Sequence, residues 1–208
     1  MTRVNELAPM AQAKHWLRKH VDWLWAGVYR GVLQKNTRVL PAGLDVHLAT
    51  PAELRSIATE PMWEMTQTFV NGAIARGDEC VVGYLDGQLV SYGWAGYGKT
   101  PHTRGTYVCF ARGHRYNYKA FTAPEYRGRH LRGSFGVLEA ADRRREVRHS
   151  IAFIDYRNKA SAQAEMRNGG NLIGYAGYIR IGKLLIAYST TSARQYEFKF
   201  TNREPFGS

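Results

Sequence analysis

The sequence predicts a mixed α+β fold. Two short runs around Asp86-Gly87 read as a β-hairpin, residues 114–182 read as strand-helix-strand-helix-strand, and residues 1–41 read as a separate basic helical extension. That extension carries Leu17, Val21, Leu24, Val28 and Val32 at helical spacing until Pro41 and Gly43 break it. Its other side carries Lys14, Arg18 and Arg30, while Trp16, Trp23 and Trp25 widen the apolar stripe. Such a helix suits its own domain, a partner helix or a membrane interface. The expected division is therefore 1–41 as an amphipathic extension and 42–208 as the main domain.

Each later element has a local cause. Leu44 to Ala49 reads as a first strand, and Thr50-Pro51-Ala52-Glu53 supplies a capping Thr, an N1 proline and an N3 glutamate for a helix. A second helix is expected from Met62 to Arg76. Glu79 to Leu85 and Gln88 to Tyr97 flank Asp-Gly, the dipeptide that accepts the positive φ angles of a type I′ turn. Thr106 to Ala111 and His114 to Thr122 flank Arg112-Gly113 and read as a further antiparallel pair. Leu131, Phe135, Leu138 and Ala141 mark a helix, Ser150 to Asp155 a strand, and Lys159 to Asn168 a helix stopped by Gly169-Gly170. Strands near 172–182, 184–190 and 196–201 complete the chain.

Composition narrows the function. A chain of 208 residues with 44% hydrophobic residues can build a sizeable core. Its two cysteines, Cys80 and Cys109, are far apart and suggest neither a disulfide framework nor a zinc site. No apolar run reaches membrane-spanning length, and the cations near the N-terminus are unlike a signal peptide, so a cytoplasmic location is expected. The net charge of +12 favours an anionic partner, either a phosphorylated ligand, nucleic acid or an acidic membrane surface. Nucleic acid is disfavoured because no helix-turn-helix, zinc-finger or RRM signature is present. The histidines lack metal-ligand spacing and no serine sits in G-x-S-x-G, so neither a metal nor hydrolase chemistry is expected.

The densest chemical signal is "TAPEYRGRHLRGSF", residues 122–135. A helix starting just after a strand exposes unpaired N–H groups at the positive end of its dipole, which makes an anion site. Gly128 and Gly133 keep side chains away from the backbone, Ser134 follows, and Arg127, Arg129 and Arg132 add cations able to hydrogen-bond phosphate oxygens. The spacing is neither a Rossmann nor a Walker A loop, and a diphosphate is the natural guest.

These residues resemble the GNAT acetyltransferase family, whose pyrophosphate loop follows a strand in a pattern like V-x-P-x-[YF]-R-G-x-G-[IL]-[GA]. Phe121, Pro124, Tyr126, Arg127, Gly128 and Leu131 stand at matching places. His130 replaces the second glycine and Arg132 replaces a Gly or Ala, which leaves a less open cradle. "DYRNKASAQAEMRNGG" resembles the family's next helix, matching at Asn158, Ser161 and Gly169. The resemblance covers about residues 45–190.

It implies a central, mostly antiparallel twisted sheet splayed between its fourth and fifth strands and flanked by helices. It also implies acetyl-CoA or another acyl-CoA as cosubstrate, with backbone recognition at Ala120, Phe121 and Thr122. Arg127, Gly128, Arg129, His130, Leu131, Arg132, Gly133 and Ser134 would hold the diphosphate, and Asn158 and Ser161 the pantetheine region. The family's thiolate-protonating tyrosine is Glu165 here. From the residues themselves, Asp155, Glu125 and His114 are candidate bases, and Tyr118, Tyr156 and Tyr175 candidate acids; Tyr118, Asp155 and Tyr175 are preferred.

The expected function is acyl transfer from coenzyme A to the amine of a small acceptor. The basic residues Lys99, His102, Arg104, Arg112, His114 and Arg115 favour an anionic one, such as an amino sugar or nucleotide-linked amino sugar. A non-catalytic CoA or nucleotide sensor and a basic nucleic-acid-binding protein are the alternatives. A homodimer and a peripheral membrane contact through the N-terminal segment are both compatible with the sequence.

Overall fold

A computed structural model describes residues 21–33, 41–129, 131 and 147–203. Its centre is an eight-stranded sheet of order β10-β9-β1-β8-β7-β4-β3-β2. Every adjacent pair is antiparallel except β7 with β8. The strands are β1 (Val21–Val32), β2 (Leu44–Leu48), β3 (Glu79–Leu85), β4 (Gln88–Gly96), β7 (His114–Thr122), β8 (His149–Asp155), β9 (Asn171–Ile181) and β10 (Leu184–Ser189). A second sheet orders β11 (Lys199–Thr201), β6 (Tyr107–Cys109) and β5 (Thr100–Pro101).

The local signals near the start of the domain hold. Thr50 caps α1 (Pro51–Ile57): its hydroxyl accepts from the Glu53 N–H while the Glu53 carboxylate accepts from the Thr50 N–H. Asp86 and Gly87 take φ of 49° and 80°, as the β3–β4 hairpin requires. The helix expected from Met62 starts later. Pro61–Trp63 forms one 3₁₀ turn, Glu64 turns left-handed, and Thr66 caps α2 (Gln67–Ala75). Beyond the cleft, α3 (Lys159–Arg167) ends as expected at Gly169, whose φ is 89°. A short α4 (Thr191–Arg194) precedes β11.

Two expectations fail. The N-terminal helix is corrected over its described part, because Val21–Val32 is a strand inside the main sheet, between β8 and β9. A boundary at residue 41 therefore does not separate this strand from the sheet it completes. Leu24 and Val28 are four apart, a spacing that places residues on one side of a strand as well as of a helix, and both enter the same core. Gly27 and Gly31 weaken a helix here, and the aromatic and β-branched neighbours favour extension. The expected β6–β7 hairpin is also absent: β6 pairs with β5 and β11, and β7 with β4 and β8. The helix expected over 131–141 lies outside the described residues, apart from Leu131.

The cores lie against the main sheet. Trp63, Met65, Val70 and Leu54 from the α1–α2 region pack on Val82, Tyr92 and Trp94. Phe198, Phe200, Val108 and Ala193, from the small sheet and α4, pack on Val28, Ile151, Ala176 and Tyr178. Leu131 closes a third cluster with Leu44 and Val90 on the other side of the β2–β4 end.

Candidate functional site

The site is made by two strands that meet and then part. The parallel ladder between β7 and β8 runs through His114↔His149, Arg115↔Ser150 and Tyr116↔Ile151 and stops. Beyond it β7 stays bonded to β4 as far as Thr122, and β8 stays bonded to β1 as far as Asp155. Their facing edges diverge around a cleft of about 700 Å³, bounded by β7, β8, α3 and the turn after β7. Strand edges that face each other across a gap keep backbone N–H and C=O groups for a guest that can act as an added strand.

A bulge shapes the β7 wall. Its ladder to β4 shifts register between Trp94↔Tyr118 and Tyr92↔Phe121, so Lys119 and Ala120 stand opposite Gly93 alone. Lys119 takes a φ of 41°, a left-handed conformation that costs a non-glycine residue of the order of 1 kcal/mol or more. The bulge re-aims the strand just where the ladder to β8 has ended.

The structure brings most of the sequence-derived binding residues to the cleft. Ala120, Phe121, Thr122, Arg127, Gly128, Leu131, Asn158 and Ser161 all line it. Gly128 has a φ of 80°, and a Cβ there would meet no atom within 4 Å, so the turn is open on that side. Arg127 folds back, its Nε donating to the Thr122 carbonyl at 3.1 Å while its guanidinium lies 5.8 Å from the Phe121 ring centroid. Arg129 is over the Tyr126 ring at 5.2 Å. Asn158 caps α3, its Oδ1 accepting from the Ser161 N–H at 3.1 Å, and its amide NH₂ carries two further donors. His130, Arg132, Gly133 and Ser134 lie outside the described residues.

The proposed proton carriers fare differently. Tyr118 lines the cleft, but its hydroxyl donates to Asp78 Oδ2 at 2.7 Å, and burial followed by the Asp78 charge pushes its pKa well up. Asp155 also lines the cleft, with its carboxylate gripped by Arg157 through Nε–Oδ1 at 2.9 Å and a terminal guanidinium nitrogen–Oδ2 at 2.7 Å. That hydrogen bonding holds Asp155 below the usual carboxylate range. Tyr175 is on β9 outside the cleft lining, stacked 6.2 Å from Trp25. Tyr156 lines a separate apolar groove. His114 sits at the closed end of the V, accepting from Arg30 Nε at Nε2 over 3.1 Å. Glu125 lies in the 3₁₀ turn Pro124–Tyr126 and is exposed. Glu165 does line the cleft.

Sequence reasoning missed Asp78 and the Lys119 bulge. Asp78 is 40 residues from the tyrosine it bonds, and Arg76 Nε also donates to it at 3.1 Å. The β3–β4 and β4–β7 registers in succession bring them together. Among the described residues, no group of His, Cys, Asp and Glu is placed to hold a metal ion, and no helix is long and apolar enough to cross a membrane.

No protein-family model matches the sequence and no curated protein matches it. Solved structures match its fold. A Drosophila protein aligns over 85% of this chain with a TM-score of 0.53 at 12% identity. A GCN5-related N-acetyltransferase from Sphaerobacter thermophilus aligns over 86% with a TM-score of 0.52 at 15% identity. An acetyltransferase of the GNAT family from Colwellia psychrerythraea aligns over 90% with a TM-score of 0.51 at 14% identity. This chain spans 58%, 59% and 63% of their respective lengths. With a mostly antiparallel sheet that splays at its one parallel pair, the chain has the fold of the GNAT acetyltransferases.

Proposed function

We propose that the protein is an acyl-CoA-dependent N-acyltransferase, with acetyl the favoured acyl group and a small anionic amine, such as a nucleotide-linked amino sugar, as acceptor. The observation that carries this reading is the splay past Tyr116 and Ile151, which leaves two backbone edges along a cleft closed by the open turn at Gly128. In the reaction the amine lone pair attacks the thioester carbonyl, the C–N bond forms, the C–S bond breaks, the amine proton passes to a base and the thiolate takes up a proton. Backbone N–H groups of the β7 edge support the oxyanion. Tyr118 lines the cleft and carries a proton, but that proton is already shared with Asp78 and burial makes it harder to give up, so it serves as donor to the thiolate only by exchanging that bond. Asp155, held ionised by Arg157, serves charge balance at the mouth better than proton abstraction.

A second reading is a non-catalytic CoA or nucleotide sensor. It draws support from the same side chains, since the Tyr118 hydroxyl and the Asp155 carboxylate are both committed to protein partners.

Titration calorimetry with acetyl-CoA, and with DNA at two salt concentrations, separates these ideas. Acetyl-CoA should bind, and Arg127→Ala should weaken it by roughly tenfold, a charge-assisted hydrogen bond's worth. Thiol release in the presence of amino-sugar nucleotides then tests transfer. Binding without thiol release across a panel of amines favours the sensor, and salt-sensitive DNA binding without CoA binding removes both readings.

A further inference from the structure

The β1–β9–β10 end of the sheet leaves one face uncovered by any described element. Register fixes which residues share that face, because cross-strand partners point the same way. Trp23 stands beside Ile179, which stands beside Ile186, and the three are 49%, 50% and 58% exposed. The next row, Trp25, Gly177 and Tyr188, is closed by Trp25 and Tyr188 stacked at 5.4 Å and 10°. The preceding row ends at Ile181 and Leu184, again about half exposed. No charged side chain interrupts these rows. With seven half-exposed apolar side chains, the face presents on the order of 600 Å², at the upper end of what a monomer ordinarily leaves to water.

Cations border this face. Lys183 is in the β9–β10 turn beside the Ile181–Leu184 row. The Arg157 guanidinium, paired with the Asp155 carboxylate, lies 5.1 Å over the Trp23 ring. The whole chain carries 29 Lys and Arg against 17 Asp and Glu.

We infer that this face is a docking surface for an anionic membrane, with the Trp, Tyr, Ile and Leu side chains entering the interfacial layer and the bordering cations meeting acidic headgroups. Trp and Tyr suit that layer because each ring has an apolar body and a polar edge, and clustered Lys and Arg add attraction to acidic lipid. Charge decides against a second copy. Two molecules that each carry +12 repel one another, whereas an acidic lipid surface attracts them. The inference is independent of acyl transfer, and its test reads no activity.

The test is co-sedimentation of the full chain with phosphatidylcholine vesicles and with vesicles in which about one third of the lipid is phosphatidylglycerol. The protein should sediment with the acidic vesicles, at least about tenfold more tightly than with the neutral ones, and 0.5 M salt should weaken that binding. The double variant Trp23→Thr/Ile186→Thr keeps strand-forming residues and should lose about tenfold or more of the binding with an unchanged far-ultraviolet circular dichroism spectrum. Lys183→Glu, in a turn, should weaken binding several-fold and keeps the test alive if the double variant does not fold. No sedimentation with acidic vesicles overturns the inference. So does full binding by a folded double variant, or a wild-type dimer that this variant dissociates and that ignores vesicles.

Discussion

The two halves of the main sheet are both built from largely apolar strands and end up in different surroundings. In the β2–β3–β4–β7 half, β4 is buried on both sides, by the helix-borne cluster around Trp94 on one and by Leu44, Val90 and Leu131 on the other. In the β8–β1–β9–β10 half, the small sheet and α4 cover one side, while on the other Ile179, Ile186 and Trp23 stand half exposed. The halves touch through three residue pairs of β7 and β8 and then part to form the cleft. The lesson is that an apolar strand does not announce how many of its faces will be covered. That depends on which helices and loops return over it, and those returns are set by topology. A cleft at the seam also follows: two halves that each hold their strands through their own ladders can separate at the joint without losing either core.

The largest effect should come from the doubly covered half. Trp94 is 1% exposed, meets Phe69 edge-on at 5.2 Å and directs Nε1 to Met65 Sδ at 3.4 Å. Trp94→Ala removes this packing and leaves a cavity, so urea unfolding should show a loss of about 3–5 kcal/mol. A loss below about 1 kcal/mol would mean that this half repacks freely and that the contrast between the halves is overstated.

A smaller, pH-dependent effect should come from the seam. Burial holds the His114 imidazole below its ordinary value, and the nearby Arg30 charge acts in the same direction. The Arg30 Nε–H donates to Nε2, which needs the neutral ring with its proton on Nδ1, facing the Arg112 carbonyl 3.4 Å away. The folded chain therefore binds this proton less readily than the unfolded chain. The stability it contributes is complete above the ordinary imidazole value of about 6.5 and is lost as pH falls through the lowered folded value. His149, stacked on His114 at 5.4 Å, is lowered as well and adds the same sign. Urea midpoints measured from pH 7.5 downwards should fall for the wild type, and His114→Gln should flatten that decline without abolishing it. An unchanged slope in the variant would show that His114 is as free to protonate in the fold as in the open chain.

What was legible in the sequence follows the range of the forces involved. The Thr50–Glu53 capping box and the Asp86-Gly87 turn act within four residues, so local chemistry sufficed. Of the cleft residues, Arg127 and Gly128 were readable because a strand-to-helix turn is also a local device, whereas Ala120, Phe121, Thr122, Asn158 and Ser161 followed only from the family resemblance. β1 was not. Leu24 and Val28 satisfy helix and strand spacing alike, and the ladders to Ser150, Asp155, Asn171 and Ile181 that decide between them lie more than 100 residues away. Tyr118 shows the same limit at the site. Its residue type suggested an acid, but its commitment to Asp78 depends on the β3–β4 and β4–β7 registers in succession, which no spacing in the chain encodes.

The smallest effect is predicted for the bare face, and its smallness is the point. Ile186 is 58% exposed on the edge strand β10, so Ile186→Thr removes little buried surface while keeping a β-branched residue in a strand. The variant should unfold within about 0.5 kcal/mol of the wild type in the absence of lipid. Vesicles should then separate the two proteins, because only the wild type presents the whole Trp23–Ile179–Ile186 row. A loss above about 2 kcal/mol without lipid would put Ile186 in the class of buried aliphatic residues, and the face would have to be covered in solution by part of its own chain or by another copy. Repeating the measurement at tenfold lower protein concentration decides between those covers: a cover from another copy weakens on dilution, and one from the same chain does not.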